Sequence, residues 1–188
     1  RQSNFQEVAC GFTLEQSKIE ASRCLDCKNP KCVEACPVHI DIPKFIKEIL
    51  NNDIESAYFT LYNDNILPAI CGRVCPQEKQ CEGSCILGIK SDSVSIGALE
   101  KLLGDYGLEY NLQSEELIVD NGIKVAIVGS GPAGLSNAAS MRRLGYDVTI
   151  FEALHDFGGV LKYGIPDFRL PTNIVDKEIL RLKDLGIK

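Results

Sequence analysis

Over the first 110 residues, apolar side chains recur at helical spacing, with little of the alternation that marks strands. Ile42, Phe45, Ile46, Ile49 and Leu50 fall at i, i+3, i+4, i+7 and i+8, one face of a helix that Asp41 can cap and that carries Pro43 in its first turn. Ile54, Ala57, Tyr58, Leu61 and Tyr62 repeat the spacing behind Asp53. Leu99, Leu102, Leu103 and Tyr106 form a third stripe behind Ser95, with Gly107 near its end. Upstream, Thr13 and Gln16 make a capping box opening a helix that runs into Cys24. These stripes predict a packed core rather than a ligand site.

The pattern then changes. Residues 111–122 are polar and acidic and read as a linker. Val125-Ala126-Ile127-Val128 is an unbroken apolar run, as expected of a central parallel strand. A helix follows from Pro132 to about Leu144 and stops at Gly145; Asp147–Phe151 is a second strand. A last helix, about Thr172 to Leu185, turns Val175, Ile179 and Leu182 inward. The chain stops at Lys188, too early to finish a doubly wound sheet, which predicts a fragment of a longer protein.

Composition narrows the function classes. A net charge of -6 argues against nucleic acid or an anionic membrane surface as the main partner. The apolar runs fall far short of the roughly 20 residues that span a bilayer. No basic segment precedes an apolar one as in a secretory leader, although the chain begins at Arg1 rather than Met. A reducing cytoplasm is the expected compartment. The nine cysteines agree with it, being odd in number and, Cys10 apart, only a few residues from one another.

Eight of those nine fall into two runs, Cys24-x2-Cys27-x4-Cys32-x3-Cys36-Pro37 and Cys71-x3-Cys75-Pro76-x4-Cys81-x3-Cys85. Short thiolate chelates let a loop wrap one face of an iron–sulfur cluster, and in two-cluster ferredoxins the fourth cysteine, followed by proline, crosses to the other cluster. Cys36-Pro37 fits that crossing, so the first cluster needs a ligand from the distant run. Structural zinc wants paired Cys-x2-Cys elements, and only Cys24/Cys27 qualifies. Cys10 stands alone and reads as a small buried hydrophobe.

Downstream, Gly129-Ser130-Gly131-Pro132-Ala133-Gly134 leaves the first strand and opens the helix, the context a dinucleotide turn requires. Gly129 permits the turn, Gly131 a close pyrophosphate, and Gly134 tight helix–strand packing, with phosphates facing the helix N-terminus. Glu152, at the end of the second strand, can accept hydrogen bonds from a ribose and would repel a 2′-phosphate. FAD is the expected occupant, because a flavin links hydride donors to one-electron clusters. The predicted architecture is multidomain α plus α/β: an all-α [4Fe-4S] domain over 1–110, a linker, and over 123–188 the first β-α-β part of a Rossmann-like FAD-binding domain.

The runs CLDCKNPKCVEACPVHIDIP, LPAICGRVCPQEKQCEGSCILGIK, VAIVGSGPAGL and FEALHDFGGVLKYGIPDFRLP closely resemble the glutamate synthase small (β) subunit family. That family includes the flavoprotein subunit of NADH-dependent ferredoxin:NADP oxidoreductases and sulfide dehydrogenase subunits. The N-terminal part of dihydropyrimidine dehydrogenase is similar. The resemblance covers nearly the whole chain. It implies two [4Fe-4S] clusters, FAD, and NADPH bound in an inserted domain that this chain lacks. It would place Cys24, Cys27, Cys32 and Cys85 on one cluster and Cys36, Cys75, Cys81 and a non-cysteine ligand on the other. That last position, a Gln in dihydropyrimidine dehydrogenase, matches Glu100, one residue off in spacing from Cys85, and would make Cys71 a spare thiol. On the residues alone, Glu100 is a solvated flank beside its helix stripe. Gly158, Gly159, Leu161 and Gly164-Ile165-Pro166 would lie along the flavin, while His39 and His155 read as loop histidines.

The implied activity is oxidoreduction: electrons pass from NADPH through FAD and two clusters to a large glutamate synthase α-like subunit reducing 2-iminoglutarate to glutamate, or to a ferredoxin-linked subunit. No residue of this segment is expected to perform acid–base catalysis, and the segment alone is expected to be inactive. The rival is a non-catalytic docking module with purely structural metal.

Overall fold

The computed structural model describes residues 4, 6–113 and 118–188. Residues 114–117 of the predicted linker lie outside them. The chain divides into two compact units, one of Ala9–Leu112, the other of Gln113–Lys188 together with the segment ending at Val8. The sequence reading put that first segment with the helices. Instead the Val8 N–H donates to the Phe168 carbonyl at 2.9 Å, within the second unit.

In the helical unit, α1 (Leu14–Ala21) carries the expected capping box, with Gln16 N donating to Thr13 Oγ1 at 3.3 Å and Thr13 N to Gln16 Oε1 at 2.9 Å. It ends before Cys24 rather than running into it. After the single turn α2 (Lys31–Glu34), α3 (Ile42–Leu50) is capped by Asp41 and buries Ile42, Phe45, Ile46 and Ile49. Leu50, expected on that face, is 42% exposed. At about 100° per residue it lies about 80° round the helix from Ile42, beyond the buried stripe. Helix α4 (Ile54–Asp64), capped by Asp53, buries all five predicted positions.

Helix α5 (Pro68–Val74) is too short for a periodic signal and was not predicted. It packs closely on α6 (Ile96–Glu109). A methyl on Gly72 would sit 2.4 Å from the Lys101 backbone N, so only glycine allows this approach. Arg73, its guanidinium buried, locks the pair by donating to both carboxylate oxygens of Asp105 at 2.7 and 2.9 Å. Ser95 precedes α6, but its hydroxyl makes no cap bond; its N–H donates to Glu20 Oε1 at 2.8 Å. Gly107 lies in the last turn of α6, near its end as expected, where the Tyr58 ring covers it. Each fully buried large side chain of this core, such as Phe45, Leu61 or Leu99, contributes about 1.5–3 kcal/mol.

In the second unit, β1 (Lys124–Val128) and β2 (Asp147–Phe151) pair in parallel with Lys124 opposite Asp147 and Val128 opposite Phe151, and α7 (Pro132–Arg143) is the crossover. Helices α8 (Val160–Tyr163) and α9 (Thr172–Asp184) follow, with Val175, Ile179 and Leu182 buried as expected. Lys188 hydrogen-bonds to Val148 and Ile150, on β2. Among the described residues β1 pairs with β2, and Val128 is 89% exposed.

Candidate metal centres and nucleotide site

Four of the predicted ligands gather in one place. Cys24 and Cys27, from the loop after α1, Cys32 of α2, and Cys85, from the start of the distant turn Ile86–Ile89, line one cavity of about 70 Å³. Ile42, Ile46, Val94 and Ile96 supply its apolar wall. Arg23 ties the end of α1 to the loop before α6, donating to Glu20 Oε1 at 2.6 Å and to the Ser93 carbonyl at 3.2 Å. Burial, with smaller contributions from the neighbouring Cys24 and Cys85, pushes the Cys32 thiol up to about 11. Cys24 is raised likewise, by burial first and then by Cys27 and Cys85. A metal centre bound by these thiols must displace their protons, so its binding releases protons and weakens as pH falls.

The second set lies where α5 crosses α6. Cys36 and Cys81 are buried, and Cys75 caps the end of α5. Burial pushes the Cys81 thiol up to about 12, followed by the Glu100 carboxylate, with Cys36 also contributing. Glu100 is 6% exposed, against the solvated flank that its sequence position suggested. The reason is α5, which covers that flank. Burial, then Cys75, pushes the Glu100 carboxyl up to about 8. Its Oε1 accepts from Asn65 Nδ2 at 2.6 Å. Cys71 is adjacent too: the neighbouring Cys75 thiol raises that of Cys71, and Cys71 lowers that of Cys75. Both candidates for the eighth ligand therefore sit beside Cys75.

These donors suit a cluster better than a single ion. Zinc draws its sulfurs to a point, at about 2.3 Å each. Among the described residues no three His, Cys, Asp or Glu side chains converge that closely, and the first four cysteines ring a cavity instead. All nine cysteines are free thiols. Cys10, read as a buried hydrophobe, is exposed.

At the glycine turn, Gly129 adopts φ +93° and Gly131 is the N-cap of α7. A Cβ on Gly134 would meet the Gly129 carbonyl oxygen at 2.0 Å, whereas one on Gly131 would meet nothing within 4 Å. The turn thus packs tightly at Gly134 and stays open at Gly131, as a phosphate cradle requires. Pro132 and Ala133 are exposed beside it. Gly159, φ +52°, lies against Gly131, so the second glycine loop borders the first; Leu161 is buried behind it. Ser130 is fully buried and ties the parts together. Its N–H donates to Glu152 Oε2 at 2.8 Å, its hydroxyl donates to the same oxygen, and Gly158 N donates to Ser130 Oγ at 3.0 Å. Leu154 N donates to Glu152 Oε1 at 2.8 Å. These bonds, the Ser130 hydroxyl first, hold the Glu152 carboxyl down at about 2. Glu152, expected to serve a ribose, also braces the turn. Its partner Ser130 was expected as part of the cofactor-binding turn, but its bond to Glu152 was not foreseen, and Asn65 gave no signal at all.

A family model described as dihydropyrimidine dehydrogenase domain II, 4Fe-4S cluster, matches residues 1–112 of the 188. The chain belongs to this iron–sulfur family. A second model, described as an NAD(P)-binding Rossmann-like domain, matches residues 127–176. Similar proteins include the NAD-dependent dihydropyrimidine dehydrogenase subunit PreT of Escherichia coli K12, 37% identical over the whole chain and 45% of that relative. The glutamate synthase [NADPH] small chain of the same strain is 37% identical, again over the whole chain and 40% of the relative. That of Azospirillum brasilense is 35% identical, with 39% of the relative covered. The chain spans less than half the length of these relatives. None of the helices built from described residues is long and apolar enough to cross a membrane.

Proposed function

We propose that the full-length protein is an NADPH-dependent iron–sulfur flavoprotein oxidoreductase that delivers electrons to a partner subunit. When bound, FAD and two [4Fe-4S] clusters supply the conversion of a two-electron hydride donor into single-electron transfers. Cys24, Cys27, Cys32 and Cys85 hold one cluster, and Cys36, Cys75, Cys81 and Glu100 the other. The crossing of Cys36 to the second set lets one loop, Cys24–Cys36, touch both clusters and keep them close. Gly129, Gly131 and Gly134 cradle the FAD pyrophosphate at the N-terminus of α7, and Glu152 orients the ribose while holding the turn through Ser130. Gly159 and Leu161 border the flavin.

The observation that carries this reading is the cavity ringed by Cys24, Cys27, Cys32 and Cys85, which unites a loop, a one-turn helix and a residue more than fifty positions away around space for a cluster. The partner is a large catalytic subunit of the glutamate synthase α type or a ferredoxin-linked subunit. The PreT relatives add a dihydropyrimidine dehydrogenase catalytic subunit as a third candidate.

The test is iron, acid-labile sulfide and zinc on anaerobically purified full-length protein. About eight iron and eight sulfide per chain, as two four-iron clusters require, with bleaching by NADPH, is the expected result. Cys32→Ser and Cys36→Ser should each remove one cluster, and a different one. Zinc without sulfide would overturn the relay and leave a docking module.

A further inference from the structure

Two side chains compete for the last position on the second cluster, and a third touches both. Asn65, at the C-terminal end of α4, is buried, and its amide orientation is fixed from two sides. The Leu67 N–H donates to Asn65 Oδ1 at 3.1 Å, so Nδ2 must face the other way, and there it meets Glu100 Oε1 at 2.6 Å. The Cys71 thiol lies close enough to this amide and to Glu100 for both to act on its ionisation. Cys71 lies in α5 one turn before its C-cap Cys75, whose N–H donates to the Cys71 carbonyl at 3.1 Å, and Glu100 comes from α6.

We propose that Asn65 is the positioning residue that makes Glu100, rather than Cys71, the fourth protein ligand of the second cluster. The inference rests on the ligand sets proposed above. Asn65 engages one carboxylate oxygen and fixes the plane of the group, so the other oxygen is available to an iron. This is the relation seen at metal sites generally, where an outer partner orients the ligand and its loss weakens metal binding about 10–100-fold. Without the donor, Glu100 loses its orientation and the Cys71 thiolate, the softer ligand for iron, takes the position.

The test uses the anaerobic full-length holoprotein, with iron content and the EPR spectrum of the reduced clusters as readouts. Asn65→Asp is the decisive variant, because it keeps the shape and the Leu67 bond while replacing the donor by a carboxylate that repels Glu100. Cys71→Ala alone should keep both clusters and the wild-type spectrum. Asn65→Asp alone should keep the iron but shift the second cluster's spectrum to that of Glu100→Ala. The double variant Asn65→Asp/Cys71→Ala should lose the second cluster, about half the iron, while the first cluster's signal persists as the control for folding. A double variant with full iron and a wild-type spectrum would overturn the role of Asn65. Loss of the second cluster in Cys71→Ala alone would overturn something different, the assignment of Glu100 itself.

Discussion

Glu100 and Glu152 are the same side chain held in opposite ways, and each typifies its unit. Glu100 lies under a helix crossing, and burial lifts its carboxyl to about 8. Glu152 stands at the solvent edge of a turn, and hydrogen bonds from Ser130 and Leu154 hold it at about 2. In the helical unit, ligand positions follow from the packing of whole helices, down to a glycine whose absent Cβ brings α5 onto α6. In the β-α-β unit, they follow from a few backbone amides and one buried hydroxyl, and large apolar residues such as Val128 and Phe151 remain exposed. A cluster site built from interlocked helices is sensitive to volume. A nucleotide turn built from local bonds is sensitive to hydrogen-bond donors and charge.

Substitutions can break that contrast, and the largest effects belong to the helical core. Phe45→Ala should cost about 3–5 kcal/mol, since the ring is 1% exposed and the site cannot collapse without moving α3; the unfolding transition of the helical unit reports it. Gly72→Val should cost about 1–3 kcal/mol by overpacking against the Lys101 backbone. It should also release iron from the second cluster while sparing more of the first, which metal analysis with EPR would show.

In the other unit the effect depends on pH. Glu152 has its carboxyl lowered on folding, so its bonds stabilise the folded state above the ordinary carboxylate value of 4.5 and are lost as pH falls towards 2. The wild-type unit should therefore lose stability across that window, and Glu152→Gln should flatten the loss, as followed by its thermal midpoint against pH. The smallest effect is expected at the exposed end of β1. Val128→Ala should change stability by no more than about 0.5 kcal/mol despite removing a valine from a strand. A cost near that of Phe45→Ala would mean that Val128 is covered in solution.

Much of this was legible in the chain. The stripes of α3 and α4 matched the buried faces because a helix must turn its apolar side to the core, and only Leu50, at the rim of its stripe, fell outside. The caps at Thr13, Asp41 and Asp53 were readable because they act within three residues; Ser95 holds the N-cap position of α6, but its hydroxyl makes no cap bond. The β-α-β order and the glycine turn were equally plain. Cys10 was misread because isolation along the chain says nothing about exposure. Helix α5 was missed because seven residues carry no period.

By itself the sequence determined the local things: helix faces, three caps, the strand–turn–helix with its glycine turn, and two runs of closely spaced cysteines. Those follow from periodicity and short-range hydrogen bonding, which act over a few residues. Only the tertiary structure brought Cys85 to Cys24, Cys27 and Cys32, buried Glu100 beside Cys75, aimed Asn65 at it, and turned Ser130 onto Glu152. Each of those is a contact between residues 22 to more than 50 positions apart, and such contacts exist only once packing has set which faces meet.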